Sequence, residues 1–253
     1  MRPLHFAPMD TAPFAADCAR CRALCCTELY FAKTDGFPYD KPSGTRCRNL
    51  ENNDGCRIHG QLREKGFKGC LAYDCLGAGP AATALGAGFE MLCLLYTMRW
   101  YLAEALMLSP LRPLALELRD AHAATCALCL SPPNDVKAHQ AYVNRSLKKS
   151  CAMIQQAVGV PVRHGPSDCF GQRFAGQDLS GRDWSMSLLV AADLSGCTLY
   201  GVNFLGADVR DTAVYGADLR ESVYLTQAQV NAMRGDSATR LPAHLQRPGS
   251  WRQ

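Results

Sequence analysis

From Phe174 onward an apolar residue returns at every fifth position. Phe174, Leu179, Trp184, Leu189, Leu194, Leu199, Phe204, Val209, Val214 and Leu219 follow one another without a break. Two residues before each centre the side chain is mostly small from 187 onward: Ser187, Ala192, Cys197, Ala207, Thr212, Ala217. The residue just before it is often Asp or Asn (Asp178, Asp183, Asp193, Asn203, Asp208, Asp218), and two after it Gly recurs (Gly176, Gly181, Gly196, Gly201, Gly206, Gly216). A period of five suits neither a helix nor a flat strand. It predicts a coil with a corner every five residues, the large and small residues pointing inward and glycine relieving the corner. Upstream, from about Pro80 to Gly159, the spacing is helical, with Leu92, Leu95, Tyr96, Trp100 and Leu106 as the apolar face. "SP" at 109–110 and "SPP" at 131–133 divide this stretch into three predicted helices, about 82–108, 111–129 and 134–157, with Asn134 or Ser131 as the cap of the third. Before residue 80 the rhythm fades. "TDGFPYDKPSGTRC" and "ENNDGC" are dense in Gly, Pro, Asp and Asn, which predicts loops and short turns with little apolar core.

The units "AADLSG", "LGADVR" and "YGADLR" resemble the A-(D/N)-L-x-x unit of pentapeptide-repeat proteins over roughly 172–225. The resemblance implies a right-handed, four-sided β-helix with four units per coil. Gln172, Gln177 and Arg182 stand where a small inward residue belongs, so an irregular first coil, or one capping against the helices, is expected. The segment "LTQAQVNAMRGDSATRLPAHLQRPGSW" looks like a closing cap: a short helix from Thr226, then an extended strap ending in an aromatic residue.

Composition narrows the function classes. At 253 residues and 48% apolar, the chain suits one large or two modest domains with real cores. The net charge is +4 and no Lys/Arg run exceeds two residues, so a nucleic-acid partner is not expected. The opening "MRPLHFAPMDTAPFAADC" has no uninterrupted apolar run and does not read as a signal peptide. The most apolar stretch, Leu85 to Leu108, carries Glu90, Arg99 and Glu104, so it reads as a buried helix rather than a membrane span. These features predict a cytoplasmic protein, in which thiols stay reduced.

That expectation gives the 14 cysteines their meaning, because thiols in a reducing compartment point to metal ligands rather than disulfides. Eight of them fall between 18 and 75: Cys18, Cys21, Cys25, Cys26, Cys47, Cys56, Cys70 and Cys75. Zinc and iron–sulfur clusters each take four thiolates, so eight can serve two sites. Neighbouring Cys25 and Cys26 would then serve different sites, or one would bridge a binuclear centre. Ten Lys/Arg face seven Asp/Glu in this segment, and Arg20, Arg22, Arg46, Arg48 and Arg57 lie within two residues of a cysteine. Such cations are expected to lower thiol pKa. His59, C-x2-H from Cys56, is a candidate further ligand, with a surface or hydrogen-bonded histidine as the plainer reading. Cys126 and Cys129, with Cys93 and Cys151, could make a second site, although buried packing explains them more simply. Cys197 occupies a small inward coil position, and Asp193, Asp208 and Asp218 read as turn formers. "GAGPAATALGAG" at 77–88 fits neither phosphate motif and reads as a hinge, or less plainly as a cofactor loop. No Ser-His-Asp set, P-loop or dinucleotide fingerprint is present, and no catalytic residue is assigned.

"CARCRALCC", Arg46–Cys47, "GCRIH" and "GCLAYDC" resemble the YkgJ-type zinc- or iron-chelating family over about 18–76. The resemblance carries the same eight cysteines over as ligands. Where that family has an arginine–proline pair, this chain has "EKGFKGC". The family includes flagellin lysine N-methylases, and the whole layout is similar to a bacterial family of pentapeptide-repeat proteins. The expected architecture is a multi-part α+β protein: a Cys-rich metal or iron–sulfur domain over 14–78, a helical region over 79–160, a pentapeptide β-helix over 170–225 and a cap and tail over 226–253. The expected function is a zinc- or iron–sulfur-binding protein with an interaction scaffold, in a redox, metal-sensing or accessory role. A protein partner would use the β-helix or helical surface, no membrane is involved, and a homodimer is left open. Two alternatives stand beside it: an iron–sulfur-dependent enzyme that modifies proteins or peptides, and a DNA mimic acting on gyrase or topoisomerase, as some pentapeptide-repeat proteins do. The DNA mimic fares poorly on length, since fewer than three coils at about 4.8 Å make roughly 14 Å of rod.

Overall fold

The computed structural model describes residues 3–5, 7, 9–86, 88–159 and 168–251. Among them are seven α-helices: α1 (Leu24–Thr27), α2 (Lys68–Ala72), α3 (Ala78–Leu85), α4 (Phe89–Leu106), α5 (Ala115–Leu130), α6 (Lys137–Val158) and α7 (Gln227–Ala232). The chain forms two compact units. One comprises 1–10, 99–124 and 136–253, and the other 11–98 and 125–135, so each draws on more than one of the consecutive segments. No described helix is long and apolar enough to cross a membrane.

The first unit is built on the coil. Parallel bridges join each corner to the residue twenty positions later, from Asp168↔Leu188 through Arg173↔Asp193, Asp178↔Thr198 and Asp183↔Asn203 to Asn203↔Val223. Twenty residues per turn with a bridge every five gives four faces. Among the described residues each corner contributes one bridged residue rather than a longer strand, so the ladder is made of isolated bridges. The reason lies in the repeat: between bridges the chain must turn, and residues 171, 176, 181, 186, 191, 196, 201, 206, 211 and 216 all adopt positive φ. Seven of these are glycine, and the others are Met186, Ala191 and Asp211. At the corners, the side chains of Asp168, Asp178, Asp183, Asp193, Asn203, Asp208 and Asp218 each accept the backbone N–H two residues on, so they are the turn formers expected.

All ten predicted centres are buried, and Cys169 and Tyr224 extend the register at its two ends. Trp184 packs between Phe174 and Phe204, with ring centroids at 5.6 and 5.7 Å. The first coil is not irregular: its bridges keep the twenty-residue interval. Gln172 and Gln177 remain exposed there and do not have to fit an inward site. The cap follows expectation. Thr226 and Gln229 form a capping box for α7, and the Gln229 amide donates to the carbonyls of Phe204 and Ala207, both at 2.9 Å. The strap then pairs Arg234 with Ala213 and Arg240 with Asp218, and it ends on buried Trp251, whose indole donates to the Met233 carbonyl at 3.2 Å.

Helical residues of this unit line the coil. The Trp100 indole donates to the Leu225 carbonyl at 3.0 Å, and the Tyr101 hydroxyl accepts from Gly206 N–H at 3.3 Å. Fully buried Glu104 accepts from Tyr224 N–H at 2.9 Å and faces His5 Nε2 at 3.3 Å. His5 pairs with Leu108 in an antiparallel bridge, and its other ring nitrogen lies 3.5 Å from Glu221.

Three helix expectations need correction. The predicted helix 82–108 begins earlier and breaks, because Gly86 takes φ of +61° and ends α3 before α4 starts. The second is a 3-10 turn over Ser109–Leu114 before it becomes α5, since Pro110 and Pro113 lack the N–H an α-helix needs there. The third starts at Lys137 with Val136 at its N-cap, and neither Asn134 nor Ser131 caps it.

Within the second unit the cysteine-rich stretch 18–75 buries few apolar side chains, whereas the helical part buries Ala82, Phe89, Leu92, Leu95 and Met98. Phe31, Cys47 and Leu50 are buried together, flanked by Ala23, Cys26, Leu29 and Phe37. Phe31 stacks on Phe37 at 4.3 Å, and Phe67 meets Phe37 edge-on at 6.3 Å. Two single antiparallel bridges, Phe31↔Lys41 and Leu50↔Cys56, close its loops. The glycine-rich stretch after Cys75 is not a hinge. Ala78, Ala81, Ala82 and Ala84 make it the helix α3, with Gly77 and Gly86 as left-handed ends.

Candidate metal centre

The eight candidate cysteines all lie in the second unit. Cys18 sits on a 3-10 turn capped by Asp17, whose side chain accepts from Ala19 N–H at 3.1 Å. Cys21 ends that turn, and Cys25 and Cys26 lie on the short α1, their sulfurs 4.0 Å apart. Cys47 N–H donates to the Cys26 carbonyl at 2.9 Å, drawing the middle cysteine to the first cluster. Cys56 is fixed by its bridge to Leu50, and Cys70 lies on α2. Cys75 precedes α3 and receives backbone N–H groups from Gly77 and Gly79. Gly79 is where two thiols converge: a Cβ there would stand 3.0 Å from Cys21 Sγ and 3.5 Å from Cys75 Sγ.

Electrostatic reach divides the eight into two overlapping sets. Cys18 feels Cys25, Cys75 and Cys21, whereas Cys70 feels Cys25, Cys47 and Cys56. Cys18, Cys25, Cys70 and Cys75 are shifted up rather than down, contrary to what the surrounding arginines led one to expect. Burial, and then its neighbouring thiols, push Cys18 up. The hydrogen bond to the Cys26 thiol, followed by burial, pushes Cys25 far up. Burial raises Cys70 to about 12, and raises Cys75 despite its two N–H donors. The five arginines are exposed, and three of them are engaged elsewhere. Arg46 donates to the Glu51 carbonyl, Arg48 lies over the Tyr39 ring at 3.4 Å, and Arg57 faces the Asn49 side chain at 3.4 Å.

A soft ion suits this donor set chemically, because thiols that resist ionisation beside one another become thiolates when a cation takes the protons' place. The spacing is not closed: among the described residues no three His, Cys, Asp or Glu side chains are gathered around one point as ligands of a metal ion. Binding would require the thiols to turn inward. His59 is exposed on a 3-10 turn. The second group of cysteines is not assembled. Cys93 faces the Tyr73 hydroxyl at 3.6 Å, while Cys151 lies in the other unit and accepts from Asn203 Nδ2 at 3.2 Å. Cys197 is buried inside the coil and donates to the Phe174 carbonyl at 3.0 Å.

Three neighbours of the thiols escape sequence reading. The Tyr39 hydroxyl lies 3.5 Å from Cys47 Sγ. Tyr73 sits beside Cys93, and its position inside "GCLAYDC" was a signal available in the sequence. Buried Lys41 lies within reach of Cys47, Cys26 and Cys25 and donates to the carbonyls of Pro42 and Thr45. Nothing in its local sequence marks it.

On the coil, acidic groups are partly matched. Asp208 pairs with Arg210 and Asp218 with Arg220, both at 2.6 Å.

Two comparisons bear on this arrangement. Residues 187–223 match the family model for pentapeptide repeats, in eight copies. The chain is also 39% identical over 265 residues to "Uncharacterized protein YybG" of Bacillus subtilis (strain 168), covering 94% of this chain and 95% of that protein. A likeness at that identity, spanning coil and cysteine-rich unit alike, shows that the chain belongs to the YybG family and carries pentapeptide repeats at its C-terminal end.

Proposed function

We propose that the second unit holds zinc or an iron–sulfur centre on its eight cysteines, and that the coil presents a rigid face to a protein partner in the cytoplasm. Cys18, Cys21, Cys25 and Cys75 would form one set of ligands, and Cys26, Cys47, Cys56 and Cys70 the other. The resemblance to the YkgJ-type family supports the eight cysteines as ligands; their division into two sets rests on which of them lie together here. The observation that carries the reading is the closeness of the thiols: Cys25 and Cys26 sulfurs lie 4.0 Å apart, Cys21 and Cys75 sulfurs meet at Gly79, and the backbone ties Cys47 to Cys26. Zinc would supply a structural cross-link, and an iron–sulfur centre would add electron transfer and suit a redox or sensing role. The residues of this chain supply the thiols, bring Cys47 to Cys26 through the backbone, and keep the region at Gly79 open for Cys21 and Cys75.

The test is metal and acid-labile sulfide content of protein purified without oxygen, with its visible spectrum. Iron with sulfide and a brown colour assigns a cluster. Zinc in a colourless sample assigns a clamp. Protein that carries neither, and takes up neither on reconstitution, refutes the reading.

A further inference from the structure

The second unit carries a recess of about 430 Å³ lined by residues between Pro38 and Phe67, a volume suited to a small molecule. Its wall is of two kinds. Tyr39, Ile58 and Phe67 supply apolar surface, with Tyr39 and Phe67 edge-to-face at 5.8 Å. Arg48, Arg57 and Lys65 supply three positive charges, and no carboxylate lines the recess. None of the three cations is ion-paired among the described residues, although carboxylates are present in the same segment.

Two of the three cations, Arg48 and Arg57, are held by neighbouring side chains. The Arg48 guanidinium lies over the Tyr39 ring, 3.4 Å from its centroid, and so is held against the aromatic wall. Arg57 is oriented by the buried Asn49 side chain, whose oxygen takes one of its N–H groups at 3.4 Å. Asn49 is fixed in turn by its own backbone N–H to Cys47 Sγ at 3.5 Å. Like charges converging on one recess repel unless an anion joins them, and planar guanidinium edges match two oxygens of one oxyanion.

We infer that this recess binds a small molecule bearing an oxyanion, a phosphate monoester or a carboxylate, on Arg48, Arg57 and Lys65, with an apolar or ring portion against Tyr39, Ile58 and Phe67. Its floor touches Cys47 through both Tyr39 and Asn49, so an occupant would rest one residue away from a candidate ligand. Recognition of the anion itself requires no metal.

Titration of the full-length protein with phenyl phosphate and, separately, with sodium benzoate tests it, by calorimetry or by amide shifts of residues 38–67. Saturable one-to-one binding is expected for at least one of them, and the stronger of the two identifies the oxyanion. Arg57→Gln and Lys65→Gln, both at exposed positions, should each weaken it about tenfold, the scale of one lost charge-assisted hydrogen bond. Lys148→Gln, which removes the same charge from α6, should leave it unchanged. Circular dichroism matching the parent protein shows that the variants fold. Absence of saturable binding by both probes, or equal weakening by all three substitutions, overturns the inference.

Discussion

The coil and the cysteine-rich unit belong to one chain yet are ordered by opposite means. In the coil each residue type recurs, so every turn rests on a turn like itself: buried leucine over buried leucine, bridge over bridge. In the cysteine-rich unit nothing recurs. Two single bridges and a small cluster around Phe31 and Leu50 hold loops that carry eight thiols. The contrast teaches that apolar burial suffices where the chain stacks on itself, whereas a loop-rich segment depends on a few specific contacts.

The largest effect should separate the two regions altogether. Cys25→Ser with Cys26→Ser, at the point where the two thiol sets meet, is expected to abolish metal retention and hydrogen-exchange protection across 18–75. Protection of the coil from 169 to 225 should survive. Loss of protection in both regions together would break the comparison. Next comes Trp184→Ala. Its ring is fully buried between Phe174 and Phe204, so about 3–5 kcal/mol of stability should be lost in urea unfolding, with metal content untouched.

A smaller effect is read through pH. Both ring nitrogens of His5 face carboxylates, Glu104 and Glu221, and a neutral imidazole has only one N–H to give. Burial alone would lower its pKa, but the hydrogen bond and charge of Glu104, with those of Glu221, outweigh it and raise the value above the ordinary 6.5. The stability due to protonated His5 is therefore fully present below about pH 6.5 and lost as pH rises through the folded-state value. His244, 5.5 Å away, is shifted down by burial and acts in the opposite sense. The difference in unfolding free energy in urea between the parent protein and His5→Gln isolates His5, and it should shrink by about 1 kcal/mol between pH 6 and pH 8.5. The smallest expected change is a gain. Ala191 is exposed and held at φ of +57° in a position where most other corners have glycine. Ala191→Gly should add about 0.5–1 kcal/mol, seen as a modest rise in melting temperature.

What could be read from the sequence follows the same division. The coil was legible because its rule is local and repeated: five residues predict the next five, and the register ran on to Cys169 and Tyr224. The capping helix after Thr226 was legible for a similar reason, since its start signal spans four residues. The cysteines could be picked out by spacing, but their chemistry could not. Arg46, Arg48 and Arg57 turn to Glu51, Tyr39 and Asn49, and burial raises the Cys70 and Cys75 thiols. The glycine-rich segment reads as a hinge by its glycines, but its four alanines make it the helix α3. Glu104 looked like a charge interrupting an apolar helix. Its partners, Tyr224 and His5, are about a hundred residues away on either side, beyond any local rule.

The twenty-residue interval of the bridges has a consequence for how such a chain can change length. At the cap the interval lengthens, to Ala213↔Arg234 and Asp218↔Arg240, so the last turn is a fitted lid rather than one more copy. Glu221 and Tyr224, just before the lid, must meet His5 and Glu104 on one particular side of the square. Adding a single unit of five would obey every local rule of the repeat and still rotate that side by a quarter turn, out of phase with its partners. Growth of this protein by duplication is therefore quantised in whole turns: the unit of sequence is five residues, but the unit of inheritance is twenty.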